Sequence, residues 1–209
     1  MSFSQWTFTS SNSTASLDTI NTIIGSSSLK VVGHPTLGAS LYGIPSINSL
    51  LPGGFIKGAL RILVKPVVLG TSRNINLVCL QSQRDPRFSP ANCYWLEADG
   101  TSLNLRKSNS SGLNVGFSTL LGSSPLSMVV STVFSIELQW VVAIDEVNGI
   151  DFIVRTGSMS DYSDLTQVIH ILDTTAPLYS TTQGEGISFG GGTGSPEFRL
   201  DQTTLLRIL

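Results

Sequence analysis

The apolar residues of this chain recur in short stretches with a period of two, broken every few residues by clusters of Gly, Pro, Asn, Asp and Ser. That rhythm does not match a helical period and points to many short strands joined by turns. Strands are expected at Leu60 to Leu69, with Pro66 marking an edge or a bulge, and at Ile75 to Gln81. Further strands are expected at Leu113 to Leu120, Leu126 to Phe134, Leu165 to Leu172, Gly186 to Gly190 and Glu197 to Ile208. About a dozen strands without an internal repeat favour one large all-β sandwich of two antiparallel sheets over repeated modules. A helix is an option only at Leu17 to Ile24, capped by Ser16 and ended by Gly25. Between Gly33 and Gly58 the chain carries His34-Pro35, Ile44-Pro45 and Leu51-Pro52-Gly53-Gly54, the composition of a long irregular connection. The chain therefore divides into residues 1–58, partly packed on the sandwich and partly an attachment arm, and a sandwich body, residues 59–209.

Two dipeptides set expected registers. Asp99-Gly100 suits a two-residue type I′ turn, whose central positions both need positive φ. Folding about it pairs Ala98 with Thr101, Leu96 with Leu103 and Tyr94 with Leu105, all on one face that should be core. Trp95, Glu97, Asn104 and Arg106 take the other face. Asn148-Gly149 suggests a second hairpin pairing Val147 with Ile150, Asp145 with Phe152 and Ala143 with Val154. That register sets Glu146 against Asp151, two like charges face to face.

Charge narrows the functional classes. Only 12% of residues are charged, against about 25% in typical globular chains, and Ser, Thr, Asn and Gly take their place. Such a neutral surface desolvates cheaply and suits packing against copies of itself or other proteins. Disorder calls for more charge and less apolar content. No basic run exists for a nucleic acid, and no apolar stretch reaches the length of a membrane span. The start Met1-Ser2-Phe3-Ser4-Gln5-Trp6 lacks the basic and apolar regions of a signal peptide, which suggests cytoplasmic synthesis without a leader. Cys79 and Cys93 are too few for a disulfide scaffold or a four-ligand zinc site; they read as two buried thiols or one bridge between strands.

Several groups could carry chemistry. Glu97-Ala98-Asp99 resembles the start of a paired-carboxylate strand of a sandwich glycosidase, but Thr101, or Ser102 if a bulge intervenes, stands where the second Glu belongs. Asp161 and Asp164, with Asp173, Glu146 and Asp151 in reach, could supply oxygens to Ca²⁺; acids at this spacing are equally ordinary turn residues. The glycine tract from Gly184 to Gly194 has no Gly-Lys-Ser/Thr after it and reads as a turn with close backbone approach. His34 precedes a proline, and His170 reads as buried and hydrogen-bonded. Trp95, Trp140, Tyr42 and Phe55 are the aromatic candidates for a binding surface. Trp95 either covers the outer sheet face, contacts a partner or stacks on a sugar.

The order of these segments carries a resemblance. The hairpin from Tyr94 to Lys107 is followed by Gln139-Trp140-Val141-Val142-Ala143 and Asp151-Phe152-Ile153-Val154. Then come Gly186-Ile187-Ser188-Phe189-Gly190 and the closing Phe198-Arg199-Leu200-Asp201. This order resembles the concanavalin A-like, or laminin G-like, jelly-roll superfamily over roughly Leu60 to Leu209, which implies an antiparallel two-sheet jelly-roll sandwich. A charge-poor chain of this kind also resembles structural proteins of tailed-phage virions, such as capsid decoration, tail or baseplate components. The resemblance implies a non-enzymatic virion protein, assembled in the host cytoplasm, whose partners are other virion proteins and copies of itself. The alternative is a carbohydrate-binding, lectin-like module with glycan partners and possible Ca²⁺ dependence; a glycoside hydrolase acting through Glu97 is the third reading. No nucleic acid, membrane or organic cofactor is expected.

Overall fold

Alternation of apolar and polar side chains along β-branched and leucine-rich segments leaves each sheet with one face that water disfavours, and two such faces must cover each other. The computed structural model shows this arrangement. It describes residues 6–11, 13–33, 39–45, 57–69, 73–81, 92–108, 116, 118–142, 149–176, 178, 186–191 and 195–207. In chain order the strands are β1 (Trp6–Ser11), β2 (Ser13–Asp18), β3 (Ser28–Gly33), β4 (Ala39–Pro45) and β5 (Lys57–Val68). They continue with β6 (Arg73–Cys79), β7 (Tyr94–Ala98), β8 (Ser102–Ser108), β9 (Ser118–Pro125) and β10 (Phe134–Val142). The last four are β11 (Ile150–Gly157), β12 (Thr166–Asp173), β13 (Gly186–Gly191) and β14 (Glu197–Arg207).

One seven-stranded sheet runs β1-β4-β13-β6-β7-β8-β9, and a second runs β12-β11-β10-β5-β14-β3-β2. Neighbouring strands pair antiparallel in both sheets. The fold is an antiparallel jelly-roll sandwich, as expected. Leu77, Leu96, Leu103 and Leu105 of the first sheet meet Leu60, Ile62, Leu138, Phe152 and Phe198 of the second in one core. Trp140 is fully buried there, its ring against Gly58, where a methyl group would come within 2.5 Å of Cζ2.

A polar pin crosses the core. Lys107 Nζ lies 2.8 Å from Asp173 Oδ2, and the Tyr94 hydroxyl donates to the same oxygen at 2.8 Å. Thr175 closes the cluster: its backbone carbonyl accepts from Lys107, and its amide and hydroxyl donate to Asp173. Burial drives the Asp173 carboxyl up, but the donors from Lys107, Thr175 and Tyr94 outweigh it and hold its pKa below the ordinary value. Tyr94 and Lys107 come from the first sheet and Asp173 from the second, so the pin fixes the two layers against each other.

Several expectations need correction. The β7–β8 register is Ala98 to Leu103, Leu96 to Leu105 and Tyr94 to Lys107, two residues from the expected pairing. The turn is centred on Gly100-Thr101, closed by the Asp99 amide donating to the Ser102 carbonyl. Gly100 has φ 93° and Thr101 is not among the positive-φ residues, the II′ pattern rather than I′. Asp99 serves the turn from outside: its carboxylate accepts from the amides and hydroxyls of Thr101 and Ser102. A shift of two preserves facing, so Tyr94, Leu96, Leu103 and Leu105 are all in the core as expected.

The β10–β11 register differs by five residues, with Val142 opposite Ile150, Trp140 opposite Phe152 and Leu138 opposite Val154. The expected register would have placed the Asp145 carboxylate beside Phe152 in the core; residues 143–148 lie outside the described residues. Asp151 pairs with Val141 and Leu172 and bonds His170 at 2.8 Å. His170 is exposed on the outer face of β12, not buried.

Leu126 to Val133 is not a strand, and Phe134 opens β10. Leu126 and Met128 donate instead to the Thr101 and Gly100 carbonyls of the β7–β8 turn, and Ser131 donates to Pro66. Pro66 lies in a strand with neighbours on both sides, yet β10 pairs with β5 only as far as Val64, and the β14 pairing shifts register beside Pro66. Leu17 belongs to β2, paired with Leu29, and the Asp18 carboxylate captures the Ile20 and Asn21 amides in a turn, so no helix starts there. The connection from Gly33 to Gly58 contains β4, held between β1 and β13. Within the glycine tract Gly186–Gly191 form β13, an interior strand that matches the strand expected at Gly186 to Gly190. Cys79 and Cys93 are buried thiols not joined in a disulfide, and desolvation pushes the Cys93 thiol up to about 12.

Candidate functional site

In β6, Asn74 and Asn76 interrupt an otherwise apolar run on alternate positions, Ile75-Asn76-Leu77-Val78. Asn is a poor strand former and strand geometry sends Asn76 to the face opposite Ile75 and Leu77. The register then extends the pattern sideways. Asn76 pairs with Glu97, Glu97 with Asn104, and Asn104 with Ser123. In the other direction Asn76 pairs with Ser188, and the pairing continues to Tyr42 and Thr9. One straight row of hydrogen-bonding residue types thus crosses the first sheet away from the core. Its six inter-strand steps span roughly 29 Å at the usual strand spacing.

The middle of this row is buried: Asn76 is 6%, Glu97 4%, Asn104 8% and Ser188 5% exposed. Toward β9 it opens, with Ser123 and Thr101 exposed and Ser102 and Arg106 half-buried. The Asn104 amide donates to Ser102 Oγ at 2.9 Å and to Asp99 at 3.3 Å, and its carbonyl accepts from Ser123 at 2.9 Å. Glu97 is held by Arg106 Nε at 2.8 Å. Burial tends to raise the Asp99 carboxyl, but the donors from Thr101 and Ser102 outweigh it and keep it ionised below its ordinary pKa. Asn76 Oδ1 is different: it is buried and accepts no hydrogen bond. A buried acceptor without a donor is costly and rare in folded proteins. Next to the polar row Val78, Cys93 and Trp95 form a small apolar cluster on the same face, and exposed Leu120 stands opposite Arg106.

The residues singled out from sequence fall differently. Trp95 is 1% exposed within its cluster, so it covers the outer sheet face, and Trp140 is in the core; neither offers a ring to a ligand in this structure. Tyr42 occupies a place in the row by its backbone pairing with Ser188, its side chain lying outside the described residues. Phe55 and His34 also lie outside them. Asp161 is bound to Ser163, while Asp164 accepts from the Ser158 and Met159 amides, each carboxyl being held below its ordinary pKa by those donors. Asp173 stands at the far end of β12, roughly 23 Å away along the strand, and is committed to Lys107. These three acids therefore do not converge on a Ca²⁺ ion, and no group of three metal-ligating residues gathers among the described residues. Asn76, Asn104 and Ser188 were not singled out as site residues; the sequence signal for the first was the pair of Asn residues two apart within an apolar strand.

No family model and no curated protein sequence matches this chain. Solved structures do match in fold. The metal-free exoplasmic/lumenal domain of VIP36 is 12% identical with a TM-score of 0.62, covering 98% of this chain and 85% of that one. The carbohydrate-binding module CBM66 from Bacillus subtilis is 11% identical, TM-score 0.56, covering 95% and 94%. The PL-14 alginate lyase from Aplysia kurodai is 11% identical, TM-score 0.60, covering 93% and 87%. At such identities the likeness establishes the jelly-roll fold.

Proposed function

We propose that this protein binds a glycan on the outer face of its first sheet, through the row Ser188, Asn76, Glu97, Asn104 and Ser123. The observation that carries the reading is the buried, unpartnered Asn76 Oδ1 at the centre of that row. A sugar hydroxyl both donates and accepts, so one that reached this oxygen would satisfy it, while other hydroxyls meet Ser123, which is exposed and keeps acceptor capacity beside the bond it donates to Asn104. Leu120 at the open end offers apolar contact to the C–H face of a pyranose. The solved neighbours, among them a carbohydrate-binding module and a lyase of alginate, support a glycan as the ligand class. Binding without turnover is the form of the proposal, because Glu97 is tied to Arg106 and Asp99 to its own turn.

A glycan array probed with the labelled chain tests it. Selective retention of one saccharide group, weakened at least roughly tenfold by Asn104→Ala, is the expected result; an array without a hit contradicts it.

The virion structural role keeps one supporting observation. Leu17, Ile20, Leu120, Val129, Val130 and Leu172 are large apolar side chains left exposed, a surface suited to protein contacts. That reading predicts self-association in analytical ultracentrifugation, and a monomer at high concentration counts against it. It ranks second because exposed apolar residues specify no partner, whereas the row around Asn76 specifies hydrogen-bond chemistry.

A further inference from the structure

Each seven-stranded sheet ends in two edge strands, which pair with a neighbour on one side only among the described residues. The outer backbone N–H and C=O groups of such a strand can template pairing with another chain, and proteins blunt them with bulges, prolines or lysines. β9 and β12 each carry a register shift in their pairing. β2 carries none of these devices. It pairs with β3 without a shift, from Ser13 opposite Gly33 to Asp18 opposite Ser28, and its sequence Ser-Thr-Ala-Ser-Leu-Asp holds no Lys, Arg or Pro.

Two further observations single out this edge. The most exposed large apolar side chains among the described residues are Ile20 at 88% and Leu17 at 66%, one in the turn after β2 and one in β2 itself. Leu17 stands opposite buried Leu29 and so shares the face that is core elsewhere, yet the first sheet leaves it uncovered. Thr14, Ala15 and Ser16 are exposed as well. The strand is also anchored, and its one charge is matched: Asp18 is bound by Arg199 Nη2 at 2.5 Å, with side chains 10% and 2% exposed.

We propose that β2 is a homodimer seam, pairing antiparallel with β2 of a second copy so that the second sheets of two molecules join into one. A second copy fits because the strand is complementary to itself. A two-fold axis normal to the sheet keeps the faces aligned. Centred on Ser16, it sets Ser16 against Ser16, Leu17 against Ala15 and Asp18 against Thr14. Opposite side chains lie about 4.5–5.5 Å apart at Cβ on one face. Each Leu17 then covers the methyl of the partner subunit's Ala15, each Asp18 meets a hydroxyl, and no like charges oppose. The seam lies on the other layer from the row around Asn76 and depends on neither functional reading above.

Sedimentation velocity of the intact chain across a concentration series, with two substitutions at the dyad, tests this. The wild type should sediment as a concentration-dependent dimer. Ser16→Glu gains Lys30 as a cross-strand neighbour within its own chain but opposes two carboxylates across the dyad, so it should fold and dimerise at least roughly tenfold more weakly. Ser16→Cys should link into a covalent dimer under mild oxidant, Cys79 and Cys93 being buried, whereas Gln167→Cys on the edge strand β12 should stay unlinked. A wild type that stays monomeric at high concentration overturns the seam and leaves glycan binding untouched. A dimer that Ser16→Glu leaves unchanged, or that Gln167→Cys links in place of Ser16→Cys, overturns it too. If Ser16→Glu does not fold, the two cysteine variants decide.

Discussion

Asn76 and Lys107 show how two buried polar residues can have opposite consequences. Lys107 and Asp173 satisfy each other across the two sheets, with Tyr94 and Thr175 completing the cluster. Removing only one partner leaves a buried charge without compensation. Lys107→Met should therefore destabilise the fold by about 3–5 kcal/mol in urea denaturation, and adding Asp173→Leu should recover much of that loss. A double variant no more stable than the single one would show that the pair is not the unit. Asn76 has no such debt, since its Oδ1 is unpartnered already. Asn76→Leu should leave the unfolding free energy within about 1 kcal/mol of wild type, or raise it, while abolishing glycan binding. Loss of stability comparable to Lys107→Met would mean that Asn76 is structural.

At the scale of the element, the strands were legible because period-two patterning is what a two-sheet core requires, and Tyr94, Leu96, Leu103 and Leu105 share a core face in either register. Turn chemistry was less decisive. Asp99 can sit inside a tight turn or close one from outside, and its carboxylate gains four hydrogen bonds from Thr101 and Ser102 in the second arrangement. The Asn148-Gly149 signal lost to burial, because Leu138, Trp140 and Val142 fill the core opposite Val154, Phe152 and Ile150. Only part of the row around Asn76 was legible: Glu97 and Asn104 share the outer face of their hairpin in either register, but Ser188, Asn76 and Ser123 join them only through the order of β13, β6, β7, β8 and β9 in the sheet. Close packing at β5 gives a direct check. Gly58→Ala puts a methyl against the Trp140 ring, whose burial leaves it no room to retreat. A cost of about 1–3 kcal/mol is expected in the denaturation midpoint, and a neutral effect would argue against this packing.

For the whole molecule, the low charge content is used unevenly. On the outer face of the second sheet Glu137 bonds both Arg61 and Arg155, Arg61 lies over the Tyr162 ring at 5.5 Å, and Arg199 bridges Asp18 and Glu197. One layer thus carries matched charge, while the other carries the mostly neutral polar row. Asp18 is held at about 2, first by the Ile20 and Asn21 amides and then by Arg199, and Asp164 and Asp173 are also lowered. A lowered folded-state pKa contributes stability that is complete above the unfolded value and disappears as pH falls through the folded one. The denaturation midpoint should be flat near neutrality and fall between about pH 4 and pH 2; a midpoint that holds or rises on acidification would contradict these assignments.

The most direct measurement is side-chain and backbone NMR of the labelled protein titrated with the saccharide that the array selects. The Asn76 and Asn104 amide signals should move together with those of Glu97 and Ser123, while Arg61, Glu137 and Arg155 on the opposite layer stay still. Shifts confined to the second sheet, or to the exposed apolar residues, would place the ligand elsewhere and remove the row around Asn76 from the binding site.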